Sequence, residues 1–200
     1  LRGLRRANRR SLDVGVVEGP WGKEYFLESA GVGIFADLLH AYSPEQSKSL
    51  LRAMKSAVSV MAGYHAREVR LALDDVGFSG RYLLVEAMNT PYLGMRNRLA
   101  PEADPTDGRL DVVLVPEDER LGLAAFITQA VAGKVASMPN VTVRQAQRLR
   151  LEWDGVPIHG DEAVRVGDDA GASPTVPVEI ETLRGALEVW IPAVHAVPVS

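Results

Sequence analysis

No cysteine occurs in the 200 residues, which excludes a disulfide framework and any thiolate metal site and makes a reducing compartment the simpler setting. No apolar run approaches the roughly 18 to 20 residues that span a bilayer, and the N-terminus lacks the apolar core of a signal peptide. A cytoplasmic protein is expected. Excess positive charge is also missing. The formal net charge is −4, and because the first ten residues hold five arginines (Arg2, Arg5, Arg6, Arg9, Arg10), the remaining 190 sum to −9. That balance argues against nucleic acid as the main partner. No internal repeat at solenoid spacing is visible.

What is present fits one ordinary domain, since 200 residues at 46% hydrophobic content can bury a core without staples. Residues 1–11 read as a basic arm or linker and 12–200 as the domain proper. The arm is either a solvated helical linker packed on a neighbour or a segment that attracts anionic lipid or phosphate. The opening Leu1 suggests that the sequence starts within a longer chain.

Leu12–Val17 and Lys23–Ala30 predict two strands joined at Glu18-Gly19-Pro20-Trp21-Gly22. Ser43-Pro44-Glu45-Gln46 has the form of an N-cap, a first-turn proline and a capping-box glutamine. The helix it predicts carries Leu50, Leu51, Met54, Val58 and Met61 on one face. Val69, Leu71 and Leu73 alternate with polar or small residues as a strand, Asp75–Gly80 reads as a turn, and Arg81–Ala87 as a returning apolar strand. Asn89–Gly108 is a long polar loop of the kind that is functional or disordered, and Leu110–Val115 another strand. Glu119–Ala136 predicts a second helix. Alternation then resumes at Leu149–Trp153, Val178–Glu181 and Leu187–Ile191, around a polar stretch, Gly167–Thr175, that reads as a loop. The expected fold is α+β, an antiparallel β-rich sandwich with two interposed helices.

Carboxylates crowd the bend Leu99–Asp111. Asp104 and Asp107 can face one concavity, and the Arg109 carbonyl can complete an oxygen site for Mg²⁺ or Ca²⁺ because Gly108 lets the backbone fold back. The same string also makes a plain surface turn. Gly31-Val32-Gly33 could cradle a phosphate or mark a strand exit packed against a neighbour. His40, His65 and His195 lack metal-ligand spacing, and nothing marks a nucleophile elbow.

Three segments, Tyr25–Ala36, Met88–Gly94 and Pro101–Asp111, resemble in register the bacterial diacylglycerol kinase and sphingosine-kinase-like lipid kinases. The resemblance runs from Asp13 to Pro192. It implies the β-rich C-terminal domain of a two-domain enzyme, with an upstream nucleotide-binding domain that carries a Gly-Gly-Asp-Gly-Thr loop; no such string occurs in this sequence. It implies ATP as co-substrate and Mg²⁺ as cofactor. It also implies an Asp-Gly-Glu element, whose nearest counterpart is His159-Gly160-Asp161-Glu162. By resemblance Asp161 is the catalytic base, and Glu162 has a nucleotide or Mg²⁺ role. With no glycine between them, the two side chains would leave a strand on opposite faces. Asp154-Gly155 is a rival position, and His159 either tunes the pair or is structural.

The expected function is therefore the acceptor side of an ATP-dependent lipid kinase acting on a diacylglycerol-like or sphingoid hydroxyl at the membrane surface. The alternative is a non-catalytic lipid-binding or regulatory module. A partner face should leave apolar residues of the arm and of Leu187–Ile191 less buried than their pattern demands, with self-association into a homo-oligomer as a consequence.

Overall fold

The computed structural model describes residues 8–41, 64–93, 97–117, 129, 134–167 and 175–191. The chain opens with β1 (Asn8–Gly19) and β2 (Gly22–Phe26), an antiparallel hairpin closed by the Gly19↔Gly22 pair, as its turn residues predict. Residues 8–11 of the basic arm are strand, not helical linker. The second expected strand breaks in two, because the chain bends at Leu27–Glu28 before β3 (Ser29–Gly33). A helix that the sequence pattern did not announce, α1 (Ile34–Ala41), follows at once.

β4 (Arg67–Leu73) and β5 (Val76–Met88) form a hairpin whose turn is only Asp74-Asp75, since Leu73 already pairs with Val76. Gly77, Ser79 and Gly80, expected in a turn, are strand residues opposite Ala72, Arg70 and Val69. The loop after β5 carries a two-residue ladder between β6 (Tyr92–Leu93) and β7 (Asn97–Arg98). It is pinned by Leu93, Leu99, Ala100 and Ala103, all buried. β8 (Leu110–Pro116), β9 (Thr142–Ala146), β10 (Arg148–Trp153), β11 (Ile158–Gly160) and β12 (Ala163–Arg165) follow. The two last alternating stretches merge into one strand, β13 (Val176–Ile191).

All the pairings are antiparallel. The main sheet runs β12-β11-β3-β5-β4-β10-β13-β1-β2, with β8 and β9 branching from β5. β-Rich antiparallel architecture is thus as expected, whereas the described residues do not show the two interposed helices. The helix expected after Ser43 lies outside the described residues. So does most of the one expected over Glu119–Ala136, where Val135–Ser137 is a short 3-10 turn. The loop expected over Gly167–Thr175 lies largely outside them as well.

Two cores explain the strand patterns. One is filled by Val69, Leu71, Val85, Val112, Leu149, Leu151, Val178 and Ile180, and the other, under α1, by Ile34, Leu84, Met88, Val113, Val115 and Met138. β8 and the Leu83–Met88 half of β5 feed both cores and are buried on both faces, so they read as largely apolar runs. β10 feeds one core and alternates Leu149, Leu151, Trp153 with exposed Arg148, Arg150, Glu152. Each fully buried leucine of this kind contributes roughly 1.5–3 kcal/mol. Phe26 lies across Gly15, its register partner, where a Cβ would fall 2.0 Å from the ring. Gly15 is therefore needed for close approach.

Candidate functional site

The bend at Leu27–Glu28 is where distant parts of the sequence meet. Asp161 lies in the β11–β12 turn, and its carboxylate accepts the backbone N–H groups of Leu27 (2.8 Å), Glu28 (2.8 Å) and Ser29 (3.2 Å). Its own N–H donates to the Ser29 carbonyl at 2.8 Å. From the other side, Asn89 Nδ2 donates to the Leu27 carbonyl (2.9 Å) and to the Asp13 carbonyl (3.1 Å), while the Asn89 N–H reaches the Glu28 carbonyl (2.9 Å). The N–H groups of the bend are thus held by Asp161, and its carbonyls by Asn89.

Asp161 is not on a strand, as the sequence suggested, and the opposite-face argument does not apply. Its φ of +49° is the left-handed region, in which aspartate is tolerated because a short polar side chain can bond locally. Asp74, at φ +50°, repeats the device, accepting the N–H groups of Gln147 and Arg148 at 3.0 Å each and donating its own to the Arg148 carbonyl. Glu162 is exposed and makes no hydrogen bond or ion pair among the described residues. Together Leu27, Glu28, Ser29, Phe35, Leu39, Asp161 and Glu162 line an open cleft of about 700 Å³. Its wall combines apolar side chains with carboxylates.

Behind that wall His159 is buried, its ring edge-on to Phe35 with centroids 4.9 Å apart. Its Nδ1 is 2.9 Å from the Asp161 carbonyl and its Nε2 2.8 Å from Glu86 Oε1, with both side chains fully enclosed. Burial lowers the imidazole pKa, but Glu86 and the Asp161 carbonyl outweigh it, leaving a net rise. Gly31 is the reason Glu86 fits. A Cβ there would lie 2.6 Å from Glu86 Oε2 and 2.2 Å from the Val85 carbonyl. The glycine pair is a packing feature, as one of its two sequence readings held; Gly33 (φ +111°) similarly abuts the Leu83 carbonyl.

The carboxylate turn adjoins the same hub through Asp13. Buried in β1, Asp13 accepts the Gly108 N–H on one oxygen and the Gly185 N–H on the other, both at 2.6 Å, and donates its N–H to the Pro105 carbonyl at 2.7 Å. It fills a bulge where β13 carries three residues, Arg184 to Ala186, against one on β1. Within the turn, Asp104 Oδ1 accepts Thr106 N–H and Oγ1–H, and Asp107 Oδ1 accepts the Arg109 N–H. Each carboxylate keeps its second oxygen out of these bonds. Among the described residues no group of three or more histidines, aspartates or glutamates gathers to hold a metal, so any cation here would lean on two carboxylates, carbonyls and water. Nearby Asp111 is buried with Oδ2 unpartnered. Burial raises its pKa, against a hydrogen bond from Gln145, and Asp107 and Glu102 add to the rise.

The structure thus brings Asp161 and Glu162 together on one turn and Asp104, Asp107 and Arg109 on another, bridged by Asn89 and Asp13. Asp154 stands apart, its carboxylate turned to the Val156 N–H. Sequence reasoning missed Asp13 and Glu86. A lone acidic residue inside an apolar strand, Asp13 before Val14-Gly15-Val16-Val17 and Glu86 within Leu83–Met88, was the available signal.

A curled, mostly β domain with antiparallel pairing throughout its described strands is a β-sandwich-like module. Residues 30–191 match the YegS C-terminal NAD kinase beta sandwich-like domain. The chain belongs to that family, the C-terminal domain of diacylglycerol-kinase-like proteins. It is 25% identical over 148 residues to the diacylglycerol kinase of Bacillus subtilis (strain 168), covering 71% of this chain and 46% of that protein. Its fold resembles a "putative diacylglycerol kinase" from Bacillus anthracis str. Sterne (TM-score 0.64, 21% identity, 94% of this chain and 59% of that one). It also resembles a second crystal structure of a diacylglycerol kinase from that strain (TM-score 0.56, 18% identity, 94% and 56%). The chain therefore spans about half the length of these relatives.

Proposed function

We propose that this chain is the acceptor side of an ATP-dependent lipid kinase, phosphorylating the hydroxyl of a diacylglycerol-like or sphingoid lipid drawn from a membrane surface. The observation that carries the reading is the cleft whose lining combines Leu27, Phe35 and Leu39 with Asp161 and Glu162. An amphiphile has the matching shape, an apolar chain beside a hydroxyl. Family membership and the name of the Bacillus subtilis relative support it. The protein would act in the cytoplasm, peripheral to the membrane; among the described residues no helix is long and apolar enough to cross one.

Within the pair the roles divide by availability. Asp161 has both oxygens on backbone N–H groups, so it fixes the turn. Glu162, unbonded among the described residues, is the carboxylate able to take the hydroxyl proton. That assignment moves the base from the position the family resemblance favours to its neighbour.

ATP would be held mainly by an upstream nucleotide-binding domain, because phosphoryl transfer depends on a cradle for the phosphates and the Gly-Gly-Asp-Gly-Thr string is missing here. We assign Asp104, Asp107 and the Arg109 carbonyl to Mg²⁺ on donor type, since all three offer the oxygen ligands that a hard cation takes. When bound, the cation would supply charge neutralisation and rigidity at the turn. Asp13 would keep that turn registered against the β13 bulge.

The test is a fusion of this chain to the part of the Bacillus subtilis relative that it does not match, assayed for transfer of the γ-phosphate of ATP. Diacylglycerol and sphingosine are offered separately. Transfer by the fusion and none by the chain alone is expected, and the acceptor used decides the lipid class. A second reading, a non-catalytic lipid-binding module, draws on the tied-up Asp161 carboxylate. It predicts flotation with anionic vesicles and no transfer by the folded fusion.

A further inference from the structure

We propose that Glu86 and His159 share one buried proton and act as positioning residues, holding the Asp161–Glu162 turn through a hydrogen bond from His159 Nδ1–H to the Asp161 carbonyl. That the turn so held is a reactive one rests on the lipid-kinase reading above; the proton sharing and the tie do not.

The register brings the pair together. His159 on β11 is opposite Gly31 on β3, and Gly31 is opposite Glu86 on β5. Residues directly opposite one another project from the same face. Neighbouring strands lie about 4.8 Å apart, so the outer two are separated by about twice that. Their side chains meet only because the middle residue has none.

Chemistry then fixes the protons. A backbone carbonyl can only accept, so the nitrogen facing Asp161 must be Nδ1–H. Nε2 lies 2.8 Å from Glu86 Oε1. A bare imidazole nitrogen against an ionised carboxylate at that distance would oppose two lone pairs. One added proton, on Nε2 as imidazolium beside carboxylate or on Glu86 as carboxylic acid beside imidazole, removes that opposition. Both forms are neutral overall, as full burial demands. The contact is not aligned as a linear hydrogen bond, and neither Nε2 nor either Glu86 oxygen has another partner among the described atoms.

Among the described residues no other charged group satisfies the imidazole. Its facing groups are Glu86 from β5, Asp161 from its own turn, the uncharged Phe35 ring from α1 and bare Gly31 from β3. On α1, Asp37 is engaged by Arg67 at 2.8 Å.

The fold contains its own control. Asp74 and Asp161 share the left-handed backbone, the carboxylate capping and the return N–H bond, but only Asp161 has a histidine on its carbonyl. The experiment is ¹⁵N NMR of the imidazole in the chain, with amide hydrogen exchange at both turns, in wild type, Glu86→Gln and His159→Phe.

Nδ1 should remain protonated from pH 5 to 8 in wild type and in Glu86→Gln, whose amide can donate to Nε2. In His159→Phe the Leu27, Glu28 and Ser29 amides should exchange about tenfold faster, the equivalent of one lost hydrogen bond, while Gln147 and Arg148 stay unchanged. A bare Nδ1 in wild type overturns the proposal, as does equal acceleration at both turns. If His159→Phe does not fold, the tautomer in wild type and Glu86→Gln decides. None of these readouts needs ATP or lipid, so a failed kinase assay and a failed proton pair are separate results.

Discussion

Asp13 holds two N–H groups from distant parts of the chain, Gly108 and Gly185, in a buried bulge. Removing the carboxylate leaves both donors stranded at about 1–3 kcal/mol each. Asp13→Ala should therefore lower stability to urea by roughly 2–6 kcal/mol. Asp107→Ala, which loses one exposed turn bond, should cost less than about 1 kcal/mol. Equal effects would contradict the clamp.

His159 gives a pH signature. Its folded pKa is raised, so its contribution is complete below the unfolded value of about 6.5 and is lost as pH rises through the folded one. The urea midpoint of wild type should fall with rising pH above about 6.5 relative to that of His159→Phe. Parallel curves would contradict the raised value.

At this scale the sequence was informative where spacing creates the chemistry. Spacing marked the Asp104–Asp107 bend as a turn, whereas the Asp161–Glu162 pair came from the family resemblance and was expected on a strand and not in the turn it occupies. The sequence was silent on Asp13 and Glu86, whose partners lie on other strands and whose meaning depends on register.

Among the elements, glycines decide how closely β3 approaches β5. Gly31→Ala would push a methyl group into the Val85 carbonyl and Glu86, so thermal unfolding should show a loss of at least about 1–3 kcal/mol, the usual penalty of overpacking. Gly77→Ala on β5 meets nothing within 4 Å and keeps an ordinary backbone. It should be neutral or slightly stabilising, by up to about 1 kcal/mol. A reversed order would mean that the β3–β5 register is wrong.

The same glycines explain which elements could be read from sequence. β10 alternates cleanly because one face is solvated. Gly77, Ser79 and Gly80 imitate a turn, but the ladder with β4 continues through them, since two aspartates already reverse the chain. α1 escaped notice because eight residues give too little periodicity to outweigh the strand pattern before them.

For the whole molecule, the far ends of β1 and β13 form a ribbon that the cores do not cover. Trp190 is 53% exposed, with Leu183 and Ile191 at 43% each. Arg9 partly screens the indole, its guanidinium 5.5 Å from the ring centroid, and pairs with Glu188. Leu187–Ile191 is less buried than its alternation demands, as expected, while Leu1, Leu4 and Ala7 of the arm, which shared that expectation, lie outside the described residues. The chain alone should self-associate in sedimentation velocity, and the fusion to a nucleotide-binding domain should stay monomeric at the same concentration. A monomeric free chain would argue that this ribbon meets no partner.

The most direct measurement of the account is the turnover of that fusion with ATP and the lipid it accepts, compared between wild type and Glu162→Gln. If Glu162 takes the hydroxyl proton in the cleft, kcat should drop by about 10²–10⁴-fold with the fold intact by amide exchange at the Asp161 turn. Undiminished turnover in Glu162→Gln, or no lipid phosphorylation by a folded wild-type fusion, would contradict the assignment of this cleft as the acceptor site.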